Sequence, residues 1–245
     1  MFGRLLLRGN IMYSDAFCKV YNEFGWNYFP EAFGEQLLLW LEQNQVNVKK
    51  SLDLGCGTGV LCEILHDYGI EASGMDFSEG MIKIAKKRNE KIFYEVADMV
   101  KYRPDKKFDL VTCTGDALNH IKDLNDIDQI FKNIYGYLNV GGYFIFDLLS
   151  EKEVPMEEPI DLDFSDEIKA QFMVTHDENG NINLKTTVYE NDGQQFEENI
   201  KEFLHDEQVI CKILLQNGFH LLKCDHYLLE NAGNHSTTWY IIAKK

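Results

Sequence analysis

The chain has 245 residues, 45% of them hydrophobic and 26% charged, with a formal net charge of −16. That is enough apolar material for a full core, and no apolar run approaches the roughly 20 residues of a membrane span. A surface this acidic repels phosphate backbones, which argues against nucleic acid as a partner.

The first run, "MFGRLLLRGNI", has arginines on both sides of only three leucines and does not read as a signal peptide. Met12, just ahead of the first helical pattern, reads as an alternative start. "DAFCKVYNEFGWNYF" and "PEAFGEQLLLWLEQ" are expected to be helices lying over the top of a sheet. From Ser51 onward strand-like and helical patterns alternate. "SLDL" is a strand, "VLCEILHDYG" a helix stopped by Gly69, and "EASGMD" a second strand. Ser78 can cap the helix "EGMIKIAKKR", whose basic residues sit at the favoured C-terminal end. "KIFYEVAD" and "FDLVTCT" are the third and fourth strands. A stripe from Leu124 to Leu138 predicts a helix closed by Gly141 and Gly142, before the fifth strand "YFIFDLL".

The pattern then changes. After the acidic run "EKEVPMEEPIDLDFSDE", read as a solvated linker, the turns Asn179-Gly180 and Asp192-Gly193 predict a three-stranded antiparallel meander. A helix, "DEQVICKILLQNGF", and two strands, "HLLKCDHYLL" and "TTWYIIAKK", close the chain as a hairpin on the sheet edge. The expected class is α/β: a doubly wound, mostly parallel seven-stranded sheet with an N-terminal helical cap and an antiparallel insert. The expected division is 1–150 for cap and core, 151–204 for the insert acting as a substrate lid, and 205–245 for the last helix and strands.

Three glycines, Gly55, Gly57 and Gly59, stand where the first strand hands over to a helix. In an open α/β sheet that turn brings backbone and free helix N–H groups close to a ligand. The spacing is GxGxG, with Val60 where a dinucleotide fingerprint has its third glycine. Asp76 ends the second strand about 20 residues on, where a carboxylate can accept from ribose hydroxyls. Asp98 ends the third strand and Met99 follows it, an acid for an adenine amino group beside an apolar surface for the ring.

"LDLGCGTG", "GMDFSEGMI", "VADM" and "FDLVTCTGDALNHI", in this order, resemble the successive motifs of class I S-adenosylmethionine-dependent methyltransferases. The resemblance covers about Ser51 to Leu149. It implies that Asp53, Gly55, Cys56, Gly57 and Gly59 hold the methionine end of S-adenosylmethionine, Asp76 the ribose, and Asp98 with Met99 the adenine, with Phe77 and Met81 as further cofactor contacts. Thr114 would line the methionine side. S-adenosylhomocysteine would be the product.

The short first helix with "VYNEF", the loop "GDALNHI", the insert and the closing helix–strand–strand are similar to the small-molecule branch, which includes amino-sugar and glycine-type N-methyltransferases. That layout implies Tyr21 reaching over the cofactor and Asp116 and His120 facing the acceptor, an amine or a hydroxyl. His120 has the intrinsic pKa of a base for an acceptor that arrives protonated, or is a structural histidine at a helix start. Asp116 could hold an ammonium or hydroxyl, and Asp147 is either a pocket acid or a loop cap. The cluster Tyr21, Phe24, Trp26, Tyr28 and Phe29 reads as a lid, a cation cage or plain helix packing. His176, His205, His220, His226 and His235 have no ligand spacing and read as surface or edge residues. Six cysteines without CxxC or zinc-type spacing predict a reduced, cytoplasmic protein with no metal site. The expected partner is a small-molecule acceptor, with no nucleic acid and no membrane, acting on a monomer or homodimer. The competing readings are an NAD-dependent oxidoreductase on a similar fold and a non-catalytic module that binds S-adenosylmethionine.

Overall fold

A computed structural model describes residues 13–149, 158–163, 168–190, 195–229 and 238–245. The first 12 residues, the Asp192-Gly193 turn, His235 and parts of the acidic run lie outside the described residues.

In chain order the elements are α1 (Asp15–Val20), α2 (Tyr28–Gln43), β1 (Lys50–Leu54), α3 (Val60–Asp67), β2 (Glu71–Asp76), α4 (Glu79–Arg88), β3 (Phe93–Val96), β4 (Phe108–Cys113), α5 (Leu124–Tyr137) and β5 (Leu138–Leu149). A second group follows: β6 (Ile160–Asp163), β7 (Ile168–His176), β8 (Ile182–Glu190) and β9 (Gln195–Glu202). The chain closes with α6 (Glu207–Gln216), β10 (His220–Asp225) and β11 (Thr238–Lys244). Side-chain caps start four of the six helices. Ser14 accepts from Phe17 N, Ser78 from Met81 N, Asp123 from Asn125 N, and Asp206 from Gln208 N and Val209 N.

The main sheet has seven strands in the order β10-β11-β5-β4-β1-β2-β3. The strands from β3 to β5 run parallel, and β11 pairs antiparallel with both β5 and β10. Alternation along each strand sorts side chains to two faces. On one face Phe144, Phe146, Leu148, Ile241 and Ala243 pack under α5 and α6. On the other, Leu110, Ile145, Tyr240 and Ile242 pack under α2 and α3. The order reverses between β1 and β4, so their carboxyl ends open a crevice there.

Four corrections follow. Helix α2 does not lie over the top of the sheet. Phe33, Leu37, Trp40 and Leu41 bury it on a sheet face beside α3, covering apolar strand residues that the two-turn α3 cannot reach. Helix α1 does lie over the open end, packed through Phe17, Val20 and Phe24 against Ala170, Phe172, Val188 and Ile200 of the second sheet. Gly141 and Gly142 do not close α5. The helix ends at Tyr137, and the glycines fall in the irregular start of β5, where its register against β4 shifts. Strand β3 stops at Val96, which leaves Asp98 in a loop. The meander has four strands, not three. The alternating "IDLD" of the acidic run adds β6 as an exposed edge paired with β7. Among the described residues, no helix is long and apolar enough to cross a membrane.

Phe131 is fully buried on α5, with ring centroids of Phe144 and Phe146 at 5.6 and 5.4 Å. Phe131→Ala is expected to cost about 3–5 kcal/mol, read as a lower urea midpoint with an unchanged slope.

Candidate active site

The site grows from the turn after β1. Gly55 N and Cys56 N both donate to Met75 O, at 2.8 and 3.0 Å, which folds the turn against β2. Two of its glycines are demanded by packing. Gly55 has φ +71° and a Cβ there would lie 2.9 Å from Ala117 Cβ; Gly59 has φ +81° and a Cβ there would lie 2.6 Å from the Tyr94 hydroxyl.

Asp76, buried at the end of β2, ties the turn to the next helix. One carboxylate oxygen accepts from Gly57 N at 2.9 Å and the other from Ser78 N at 2.8 Å. Each oxygen keeps further acceptor capacity toward the cavity. Asp53 on β1 faces Thr112 on β4 in register, and the Thr112 hydroxyl donates to it at 2.7 Å. Burial lifts the Asp53 carboxyl to about 7; the Thr112 bond opposes the rise and the Asp76 charge adds to it.

Asp147 on β5 is fully buried and its two oxygens accept from Gly115 N at 3.0 Å and Asp116 N at 3.2 Å. It is therefore the cap of the loop after β4, where Asp116 sits at φ +59°. Burial, then the Asp116 charge, pushes the Asp147 carboxyl well up, and burial raises Asp116. The loop continues into a one-turn helix, Ala117–His120, that is stitched to the end of β9. Asn119 O accepts from Phe203 N at 2.6 Å, its side-chain amide donates to Phe203 O at 3.1 Å, and its side-chain oxygen accepts from Leu149 N at 3.0 Å. His120 Nδ1 meets Lys201 O at 3.2 Å. A carbonyl only accepts, so Nδ1 carries the proton and Nε2 the lone pair. That lone pair faces the Tyr13 hydroxyl at 3.4 Å. Burial lowers the His120 pKa, against a smaller upward effect of the Lys201 carbonyl.

These parts enclose a cavity of about 410 Å³. Of the residues singled out in the sequence, Asp53, Gly55, Cys56, Gly57, Asp76, Phe77, Met81, Met99 and Thr114 line it, as do Tyr21, Asp116 and His120. Gly59 and Asp98 do not. Asp98 accepts from Val100 N at 2.9 Å and pairs with Lys101 at 3.0 Å, in the loop beyond β3. The aromatic cluster divides: Tyr21, Trp26 and Phe29 line the cavity, Phe24 packs under the second sheet, and Tyr28 is 70% exposed.

Tyr13, Leu184, Ile200 and Glu202 complete the wall and were not singled out from the sequence. Glu202 had a signal. In "QFEENIKE" it shares a strand face with Phe196, Glu198 and Ile200, so two acids stand at inward positions. Glu198 is explained by its bond from Ser14 N at 2.9 Å; Glu202 opens on the cavity. Burial and the Asp116 charge raise it to about 7.

His205 departs from its surface reading: it is partly buried, with Nε2 at 2.7 Å from Ile121 O. His226 is held by Thr238 O and stacks on Trp239 at 4.0 Å. All six cysteines are free thiols. Among the described residues, no group of three His, Cys, Asp or Glu is placed to hold a metal.

Residues 52–146 match the family model described as a methyltransferase domain. The Bacillus subtilis protein YqeM, provisionally named a methyltransferase, is 31% identical over 160 residues, which is 64% of this chain and 63% of that protein. The chain spans less than two thirds of the length of the curated relatives it matches. An S-adenosylmethionine-dependent methyltransferase from Clostridium acetobutylicum has a TM-score of 0.76 at 23% identity, over 86% of this chain and 89% of that one. CalS10, an amino pentose methyltransferase of Micromonospora echinaspora solved with S-adenosylmethionine bound, has a TM-score of 0.70 at 15% identity, over 97% and 99%. At such identities the likeness to the solved structures is one of fold.

The raised Asp53 carboxyl gives a pH test. The folded state holds a proton that the unfolded state releases near pH 4, so this group's contribution is present at low pH and lost as pH rises through about 7. Asp53→Asn keeps an acceptor for Thr112 without the charge. The variant's urea midpoint, relative to wild type, is expected to rise between pH 5 and pH 8 in ligand-free protein. A difference constant with pH contradicts the buried charge.

Proposed function

We propose that this chain, whose residues 52–146 match a methyltransferase domain, transfers the methyl group of S-adenosylmethionine to a small-molecule amine or hydroxyl. The observation that carries the reading is one cavity that joins the glycine turn, Asp76 and Met99 to Asp116, His120 and Tyr21. The donor set fits the cofactor. Gly57 has open space where a Cβ would stand, so backbone can approach a ligand there. Asp53 and Asp76 offer carboxylates for its ammonium and ribose, and Met99 and Met81 offer apolar surface for the base. Asp98 is assigned to the adenine edge, through a shift of its side chain away from Lys101.

When bound, S-adenosylmethionine supplies a methyl group on a cationic sulfur, and its in-line displacement draws mostly on proximity and orientation. The chain's task is then to place the acceptor. Asp116 holds a polar group of the acceptor, and Tyr21 closes over the reacting atoms. His120, neutral with its lone pair on Nε2, takes a proton from an acceptor that arrives protonated. The insert at 151–204 serves as the lid, since β8 and β9 supply Leu184, Ile200 and Glu202 to the wall. The acceptor is a small molecule rather than nucleic acid, in keeping with the charge of −16. Six free thiols support a reduced, cytoplasmic setting, with the protein working as a monomer or homodimer.

Two substitutions test the two ends separately. Asp76→Ala is expected to weaken S-adenosylhomocysteine binding by about 1–3 kcal/mol, the range for losing hydrogen bonds to a charged group; calorimetry showing unchanged affinity removes the ribose assignment. His120→Ala is expected to leave that affinity in place and slow turnover. A rate within about twofold of wild type, where a general base contributes a hundredfold or more, denies it the role.

A further inference from the structure

We propose that the roof end of the cavity is a cation site, in which Glu202 and Asp116 together hold the methyl acceptor as a protonated amine. This rests on the methyl-transfer reading and narrows its acceptor from amine or hydroxyl to cationic amine.

Four acids line the cavity, Asp53, Asp76, Asp116 and Glu202, and among the described residues no lysine or arginine does. Two of the four have local donors: Asp53 takes the Thr112 hydroxyl and Asp76 takes two backbone N–H groups. Asp116 and Glu202 arrive from different sheets. One follows β4 and the other ends β9, and the stitching through Asn119 and His120 brings these two segments together. They are close enough that the charge of Asp116 raises Glu202. Their field reaches the aromatic wall as well. The hydroxyls of Tyr13 and Tyr21 are both pushed up, first by burial and in part by Asp116 and Glu202.

Two like charges in a desolvated cleft repel, and a cation between them removes the repulsion for both. The rings of Tyr13, Tyr21 and Trp26 add faces that attract cations. The donor count agrees. Acceptors outnumber donors at this end: four carboxylate oxygens and His120 Nε2 stand against the hydroxyls of Tyr13 and Tyr21. A hydroxyl brings one donor to these acceptors, whereas an ammonium group brings three. Held by the two carboxylates, the ammonium has one proton left to give up, and His120 Nε2 is the neutral group that can take it. A hydroxyl in the same place leaves two partly buried charges unbalanced.

The test uses the full chain saturated with S-adenosylhomocysteine and two isosteric probe pairs, benzylamine against benzyl alcohol and cyclohexylamine against cyclohexanol. Affinities are read by NMR titration at pH 8, where the raised Glu202 carboxyl is ionised and the amines remain largely protonated. The amine of each pair is expected to bind at least about tenfold more tightly, a difference of roughly 1.4 kcal/mol. Glu202→Gln and Asp116→Asn are each expected to erase most of that preference while leaving S-adenosylhomocysteine affinity in place. Equal affinities within the pairs, failure of both amines to bind, or a preference that survives the double substitution overturns the cation site. The same titrations are run on ligand-free protein. Failure of S-adenosylhomocysteine to bind therefore strikes the methyl-transfer reading, and the cation site is still judged by the pairs.

Discussion

A carboxylate leaves water only if hydrogen bonds replace the ones it loses, and that constraint organises the open end of this sheet. Asp76 and Asp147 stand at the carboxyl ends of β2 and β5, and each uses both oxygens to accept from loop backbone. Asp76 sets the glycine turn against α4, and Asp147 sets the acceptor loop beyond β4. Asp53 is satisfied across the β1–β4 junction by Thr112. The crevice that topology opens between β1 and β4 thus receives walls of fixed shape, because Asp76 on its lining and Asp147 behind it hold the loops that rim it.

The same acids leave the cavity electrically one-sided. No lysine or arginine among the described residues reaches it, and burial raises the carboxyl groups of Asp53, Asp76, Asp116 and Glu202. A cleft with low-dielectric walls concentrates such a field. The overall charge of −16 strengthens it at long range. S-adenosylmethionine carries cationic sulfur and nitrogen, so a cavity of this sign suits it at one end and an amine at the other. Like-charge repulsion among these carboxylates is a strain that a cationic ligand relieves.

Much of this was legible in the residues. The limits of β2 and α4 follow from "EASGMD", the Ser78 cap and the basic last turn, all local signals. The glycine spacing located the turn, and two of its glycines are also required by the packing of Ala117 and Tyr94. What stayed hidden depends on contacts across the chain. Nothing in "PEAFGEQLLLWLEQ" says which surface its apolar stripe will cover, since a sheet face and a sheet end look alike from within the helix. Tyr13 is one aromatic residue ahead of a helix until α1 packs under the second sheet and turns it to His120. Glu202 is one more acid in an acidic strand until β9 is seen to close the cavity. Asp98 is the converse case: its motif is intact, but β3 ends at Val96 and the side chain pairs with Lys101 in the loop beyond, which the residues alone do not say.

The seam at Asn119 has a mechanical consequence. One amide side chain and one backbone carbonyl bind three separate segments, the loop after β4, the end of β5 and the chain leaving β9. The second sheet is therefore geared to the loop after β4 through these bonds. A ligand that shifts β9 carries Asp116 and His120 with it, and a substitution anywhere along β8 or β9 that tilts the strand retunes the aim of the loop without touching the substrate.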